Sequence, residues 1–276
     1  MLISALPTRR LGVPEDQAAL HFGTVGPDVG NRYLYMSGEP AFELSFWCGS
    51  CPFLFERQYG ANVRLSDGRE PMRQLEQPLD AVDDAIFDTF SPLLAEGDYL
   101  PLLLEVQPEL VAPNDERDYF THEQVATWGI RNFWSLPENP RSFYYRTFET
   151  AVDSDAHLYE FVVPMVPPSW TDRDRVRHYV DLMGEGVAPT AVALSGLDVC
   201  APATTGDDAD FYFHWGLTHY LLDGHHKMLA AARSGSTVQL LALVSLAGGL
   251  ADPAATARLP ELLARPRARR GVGGNR

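Results

Sequence analysis

Between residues 157 and 246 the apolar positions switch repeatedly between strand spacing and helix spacing. Leu158–Met165 is a β-rich run closed by Pro167-Pro168. From Thr171 to Leu182 the spacing becomes helical, with Val176, Tyr179, Val180 and Met183 on one face and Thr171 or Asp172 as the cap. Ala191–Leu194 is a strand after Pro189, and Cys200–Asp210 is a small acidic loop. Phe211–Leu222 is strand-like, Gly224–Ser234 is helical with Gly235 as its C-terminal glycine, and Val238–Leu246 is a buried strand. The predicted order is strand, helix, strand, loop, strand, helix, strand, with no internal repeat.

The first half is less regular. Residues 1–30 are punctuated by Pro7, Pro14, Gly23, Gly26, Pro27 and Gly30 and predict irregular chain. Tyr33–Met36 and Phe42–Trp47 read as strands joined by the turn Ser37-Gly38-Glu39-Pro40. Leu79–Leu94 carries Val82, Ile86, Phe90, Leu93 and Leu94 at amphipathic-helix spacing, and Tyr99–Val106 predicts a strand. Pro108–Thr150, rich in Pro, Asn and aromatics, predicts an irregular segment laid over a core. The resulting fold class is α/β in the broad sense (α+β). It divides into residues 1–150 as an N-terminal α+β region, residues 151–250 as a compact second unit, and residues 251–276 as a disordered basic tail.

Composition narrows the function classes. The chain has 276 residues, enough for one large domain or two modest ones, and is 45% hydrophobic and 21% charged. Its net charge is −15, and setting aside residues 258–276 leaves 16 basic and 36 acidic residues, a net of −20. Such a body repels nucleic acid and anionic membranes at long range. No apolar run approaches the roughly 18–20 residues a membrane helix needs, Met1–Leu11 has no secretion-signal pattern, and three cysteines make no disulfide framework. The expectation is a cytoplasmic protein that binds neither nucleic acid nor membrane.

One stretch breaks a local rule. In Asp223-Gly224-His225-His226-Lys227 the histidines and the chain's single lysine fall in the first turn of a helix. Orphan amides and the positive end of the dipole already lie there, so acids, not cations, belong in that turn. A bound phosphate repairs the conflict, with the amides and Lys227 donating and Gly224 admitting a close backbone approach. The alternative is a surface helix whose histidines stay neutral.

Leu221-Leu222-Asp223-Gly224-His225-His226-Lys227 and the Ala-rich helix after it resemble the "DGHHR" signature of the ParB/sulfiredoxin superfamily. Phe161-Val162-Val163-Pro164, Pro167-Pro168 and Pro189-Thr190-Ala191-Val192 are similar to upstream strands of that fold, so the resemblance spans about residues 157–246. It implies a loop and helix start that bind the phosphates of ATP, ADP or CTP with Mg2+, Gly224, His226 and Lys227 being the phosphate contacts. His225 stands where sulfiredoxins carry their reactive cysteine, so sulfinic acid repair is not implied. The DNA-reading helix-turn-helix and basic surfaces of partition proteins are not evident either. Free-serine kinases share the His-His pair, which makes a small-molecule kinase the nearest analogue. It implies Asp223 and His225 as catalytic assistants and an upstream carboxylate, Asp172 or Asp174, as base.

Two other constellations carry expectations. His214, His219, His225 and His226 with Asp223 lie within 13 residues and offer ligands for a transition metal. Trp47-Cys48-Gly49-Ser50-Cys51 looks like a thioredoxin-type redox motif or half of a zinc knuckle. Ser195-Gly196 shows no nucleophile-elbow pattern. The leading expectation is therefore a nucleotide-dependent phosphotransferase acting on a small molecule. The alternatives are a non-catalytic nucleotide-sensing or scaffold module that meets a protein partner through its N-terminal region, and a zinc or thiol-redox protein centred on Cys48 and Cys51.

Overall fold

The computed structural model describes residues 1–24, 31–44, 55–62, 73–128, 140–201 and 213–266. Cys48, Cys51, most of the acidic loop and the end of the basic tail lie outside the described residues. In chain order the strands are β1 (Leu2–Ala5), β2 (Arg9–Leu11), β3 (Leu20–Thr24), β4 (Arg32–Met36), β5 (Glu39–Leu44) and β6 (Phe55–Arg57). Helix α1 (Asp84–Phe90), β7 (Gly97–Val106), β8 (Glu109–Val111), α2 (Glu123–Trp128) and β9 (Tyr144–Asp153) follow. The remainder is β10 (Ala156–Val163), α3 (Arg173–Gly184), β11 (Thr190–Cys200), β12 (Phe213–Asp223), α4 (His225–Ser234), β13 (Val238–Ser245) and α5 (Pro253–Leu263).

The fold is α+β, with a mixed sheet of nine strands and a second, antiparallel sheet of four. The large sheet runs β1-β7-β13-β11-β12-β10-β9-β8, with β2 also on β7, so it takes strands from both sides of residue 150. β10 is parallel to β12 and β11 to β13; the other pairs are antiparallel. The small sheet is β3-β4-β5-β6.

Period-2 alternation builds two cores. Leu217 and Leu221 of β12, Leu240 and Ala242 of β13, and Leu158 and Val162 of β10 join Val176, Tyr179, Met228, Leu259 and Leu262 of α3, α4 and α5. The intervening residues Tyr220, Leu241, Leu243, Phe161 and Val163 instead join Leu34, Met36, Phe42 and Phe55 of the small sheet. The central strands are thus covered on both faces, which explains their near-continuous apolar character. A buried ion pair ties the layers together: Arg32 of β4 meets Asp198 of β11 at 2.9 Å and donates to the Gly248 carbonyl at 3.0 Å.

Several elements differ from expectation. Residues 1–30 contain β1, β2 and β3, and the stretch expected to be irregular up to Thr150 contains β8, α2 and the ten-residue β9. The helix expected over Leu79–Leu94 is only α1, because Asp83 caps it by accepting from the Ile86 amide and Pro92 diverts its end into a 3-10 turn. The expected disordered tail does not begin at 251. Asp252 caps α5, Pro253 suits its first turn, and Leu259, Leu262 and Leu263 are buried.

Candidate phosphate-binding site

Parallel pairing of β10 and β12 brings their C-terminal ends side by side. From β10 the chain passes through residues 164–171 into α3; from β12 it turns at Gly224 into α4. The N-termini of both helices therefore meet at one cleft of about 350 Å³, beyond the carboxyl ends of two parallel strands. Asp223, Gly224, His225, His226 and Lys227 all line it, together with Asp172, Arg175 and Tyr179 from α3 and its cap. Met36 of the small sheet and Trp170 complete its walls.

Gly224 is the N-cap of α4, with a left-handed backbone (φ 94°) and no side-chain cap for the amides beyond it. Helices α1, α3 and α5, by contrast, each start from an aspartate that accepts backbone N–H groups. A Cβ on Gly224 would lie 2.5 Å from the Ala191 Cβ, so the residue is seated directly against β11.

The three basic side chains of the turn behave differently from free cations. Lys227 is buried (4% exposed) and donates to the Thr190 carbonyl and to Asp223 Oδ2, each at 2.8 Å. An ammonium has three N–H donors, which leaves one beyond these two bonds. His225 Nε2 accepts the Met165 amide at 3.1 Å, and His226 Nε2 accepts the Asp172 amide at 3.0 Å. Burial, reinforced by His226 and Arg57 against the opposing Asp223, brings His225 down to about 4. Burial and Arg175 likewise lower His226. Both rings are neutral at pH 7, and each has its Nε2 lone pair engaged. The charge conflict expected in this turn is therefore milder: Asp223 already matches Lys227, and the histidines clasp the 164–172 segment onto α4.

Of the two upstream carboxylates, Asp172 lines the cleft while Asp174 points to solvent and pairs with Arg177. Asp172 Oδ1 caps α3 by accepting from the Asp174 and Arg175 amides, which hold its carboxyl below the usual range. Asp223 keeps its second oxygen beyond the Lys227 bond.

The expected metal cluster does not assemble. Among the described residues no group of three or more His, Cys, Asp or Glu side chains is placed to hold a metal ion. His214 is buried against Tyr119, its Nδ1 2.5 Å from the phenol oxygen, and burial brings it down to about 3. His219 lies inside the helix-side core, where strand alternation puts it on the face opposite Tyr220. Its Nδ1 is 2.7 Å from Ser195 Oγ and its Nε2 is 3.2 Å from Glu160 Oε1; Thr147 also donates to Glu160. This Ser-His-Glu order is that of a nucleophilic triad, yet all three residues are at most 1% exposed and no substrate reaches them.

Sequence reasoning missed Trp170, Arg175, Tyr179 and Met36. Their only signal was position: Trp170 and Arg175 flank the Asp172 cap. A scan against protein-family models, a search of curated proteins and a search of solved structures return no match.

Proposed function

We propose that the cleft binds the phosphates of a nucleotide, ATP, ADP or CTP with magnesium, and that the protein transfers a phosphoryl group to a small molecule. The observation that carries this reading is the uncapped start of α4, opening from a left-handed glycine into a cleft lined by Arg175 and Lys227. Amides, ammonium and guanidinium there form a concentrated set of anion donors in an acidic chain. Trp170 offers a flat apolar wall for a nucleobase.

Magnesium takes one or two carboxylates alongside phosphate oxygens, and Asp172 and Asp223 supply that set at the cleft; the ion would neutralise charge on the phosphates. In the transfer, the acceptor's hydroxyl oxygen bonds to the terminal phosphorus as its bond to the bridging oxygen breaks, releasing the nucleoside diphosphate from ATP or CTP and the monophosphate from ADP. Its proton passes to Asp172 or Asp223, since His225 has its Nε2 lone pair engaged and contributes as an Nδ1–H donor. The same engagement of both imidazoles favours a second reading, nucleotide binding without turnover.

Thermal denaturation tests the binding. At 100 times its dissociation constant a nucleotide adds about 2.7 kcal/mol, a shift of several degrees. Arg175→Ala, exposed on α3, should weaken binding by roughly tenfold or more. No shift with any nucleotide in the wild type would sink the reading. A phosphorylated product from an acceptor screen separates enzyme from sensor.

A further inference from the structure

Behind the 164–171 segment lies a second pocket, of about 440 Å³, sharing Val166 and His225 with the first. Its charged lining is Arg57 from β6, Arg173 from the first turn of α3 and Arg233 from the last turn of α4. Among the described residues no acidic one lines it, although the chain carries a net charge of −15. Among the described residues none of these arginines is in a salt bridge.

Arg57 is the most telling. Its guanidinium is partly buried and, among the described residues, donates only to neutral oxygens: the carbonyls of Pro164 at 3.2 Å, Ala61 at 2.6 Å and Met165 at 3.5 Å, and Asn62 Oδ1 at 3.3 Å. Burial lowers its pKa with nothing opposing. A partly desolvated cation held only by neutral acceptors gains from an incoming anion. A second observation points the same way: the Ser142 hydroxyl, in the lining, is buried and has no hydrogen-bond partner among the described residues. The rest of the wall is mixed: Phe143, Leu110, Leu229 and Pro164 give it an apolar part, and Ser169 and Thr171 add hydroxyls.

We propose that this pocket binds a small organic anion, its carboxylate or phosphate held by Arg57, Arg173 and Arg233 with Ser142, and its apolar body against Phe143 and Leu229. Its role as the second substrate, meeting the nucleotide across His225, rests on the phosphotransfer reading; the anion site itself does not.

Titration calorimetry on the full chain without nucleotide tests the site, using benzoate, phenyl phosphate, inorganic phosphate and neutral benzamide. Benzoate or phenyl phosphate should bind at least roughly tenfold tighter than benzamide, as charge-assisted contacts require, and the better of the two identifies the anionic group. Arg173→Ala/Arg233→Ala, both exposed and so harmless to folding, should lose that binding by a similar factor while keeping the nucleotide-induced thermal shift. Arg175→Ala should do the reverse. Absence of binding by either anion at millimolar concentration, or equal binding to the double variant, overturns the proposal. Inorganic phosphate binding as tightly as phenyl phosphate overturns the apolar body. Anion binding in a protein that ignores nucleotides supports the anion site and overturns the second-substrate role.

Discussion

Gly224 meets two separate demands, a left-handed backbone and contact with Ala191 closer than any Cβ allows. Gly224→Ala should therefore cost more than the roughly 1–2 kcal/mol of the backbone strain alone. Adding Ala191→Gly should recover only the part of the steric cost due to the Ala191 Cβ, since the Ala191 Cα would still lie 2.9 Å from the new methyl, read as partial restoration of the urea midpoint. Full recovery would mean that the backbone is not strained. His225 makes the acid limb of stability a residue property. Its folded-state value of about 4 lies below the ordinary 6.5, so the unfolded chain takes up a proton first as pH falls. Stability is complete above pH 6.5 and declines towards pH 4, by about 2–3 kcal/mol from this ring. His225→Gln should flatten the urea midpoint between those pH values; an unchanged slope would place the acid sensitivity elsewhere, His214 first. That Asp223 to Lys227 share one cleft could be anticipated because they are consecutive at a helix start, although the charge conflict that singled them out is largely relieved in the structure. The meeting of Arg57, Arg173 and Arg233 could not, because each is unremarkable locally and only the fold brings them to one pocket.

At the level of elements, legibility followed length and coverage. From β10 to β13 the strands and helices are long, and the expected strand–helix order matches the observed one. β1, β2 and β8 have three or four residues, too few for a period to declare itself. β9 hides for a different reason: Tyr144 to Phe148 are buried in succession, including Arg146 and Thr147, so no polar alternation marks it. Arg146 keeps its charge there through Glu123 and Glu149. The small sheet is held to the large one by apolar contact and by Arg32–Asp198. Arg32→Met takes the guanidinium away from the buried Asp198, which keeps the Leu250 amide, and should cost about 3–5 kcal/mol in urea unfolding. A loss below about 1 kcal/mol would mean that apolar packing alone holds the sheets together.

For the whole molecule, the sheet's register decides what meets what. β10 and β12 lie parallel only because β12 returns between β10 and β11, a pairing that no local pattern announces. That choice sets two helix starts beside one another and puts the chain between β10 and α3 in the middle. This segment holds Pro164, Pro167 and Pro168 and is clasped to α4 by two neutral imidazoles. It forms a wall of both pockets through Val166. Were both pockets to take their proposed ligands, a partition common to the two would link their occupancies. Whatever displacement of that wall one ligand causes, the other must meet on binding, and the factor by which each alters the other's affinity is the same in both directions.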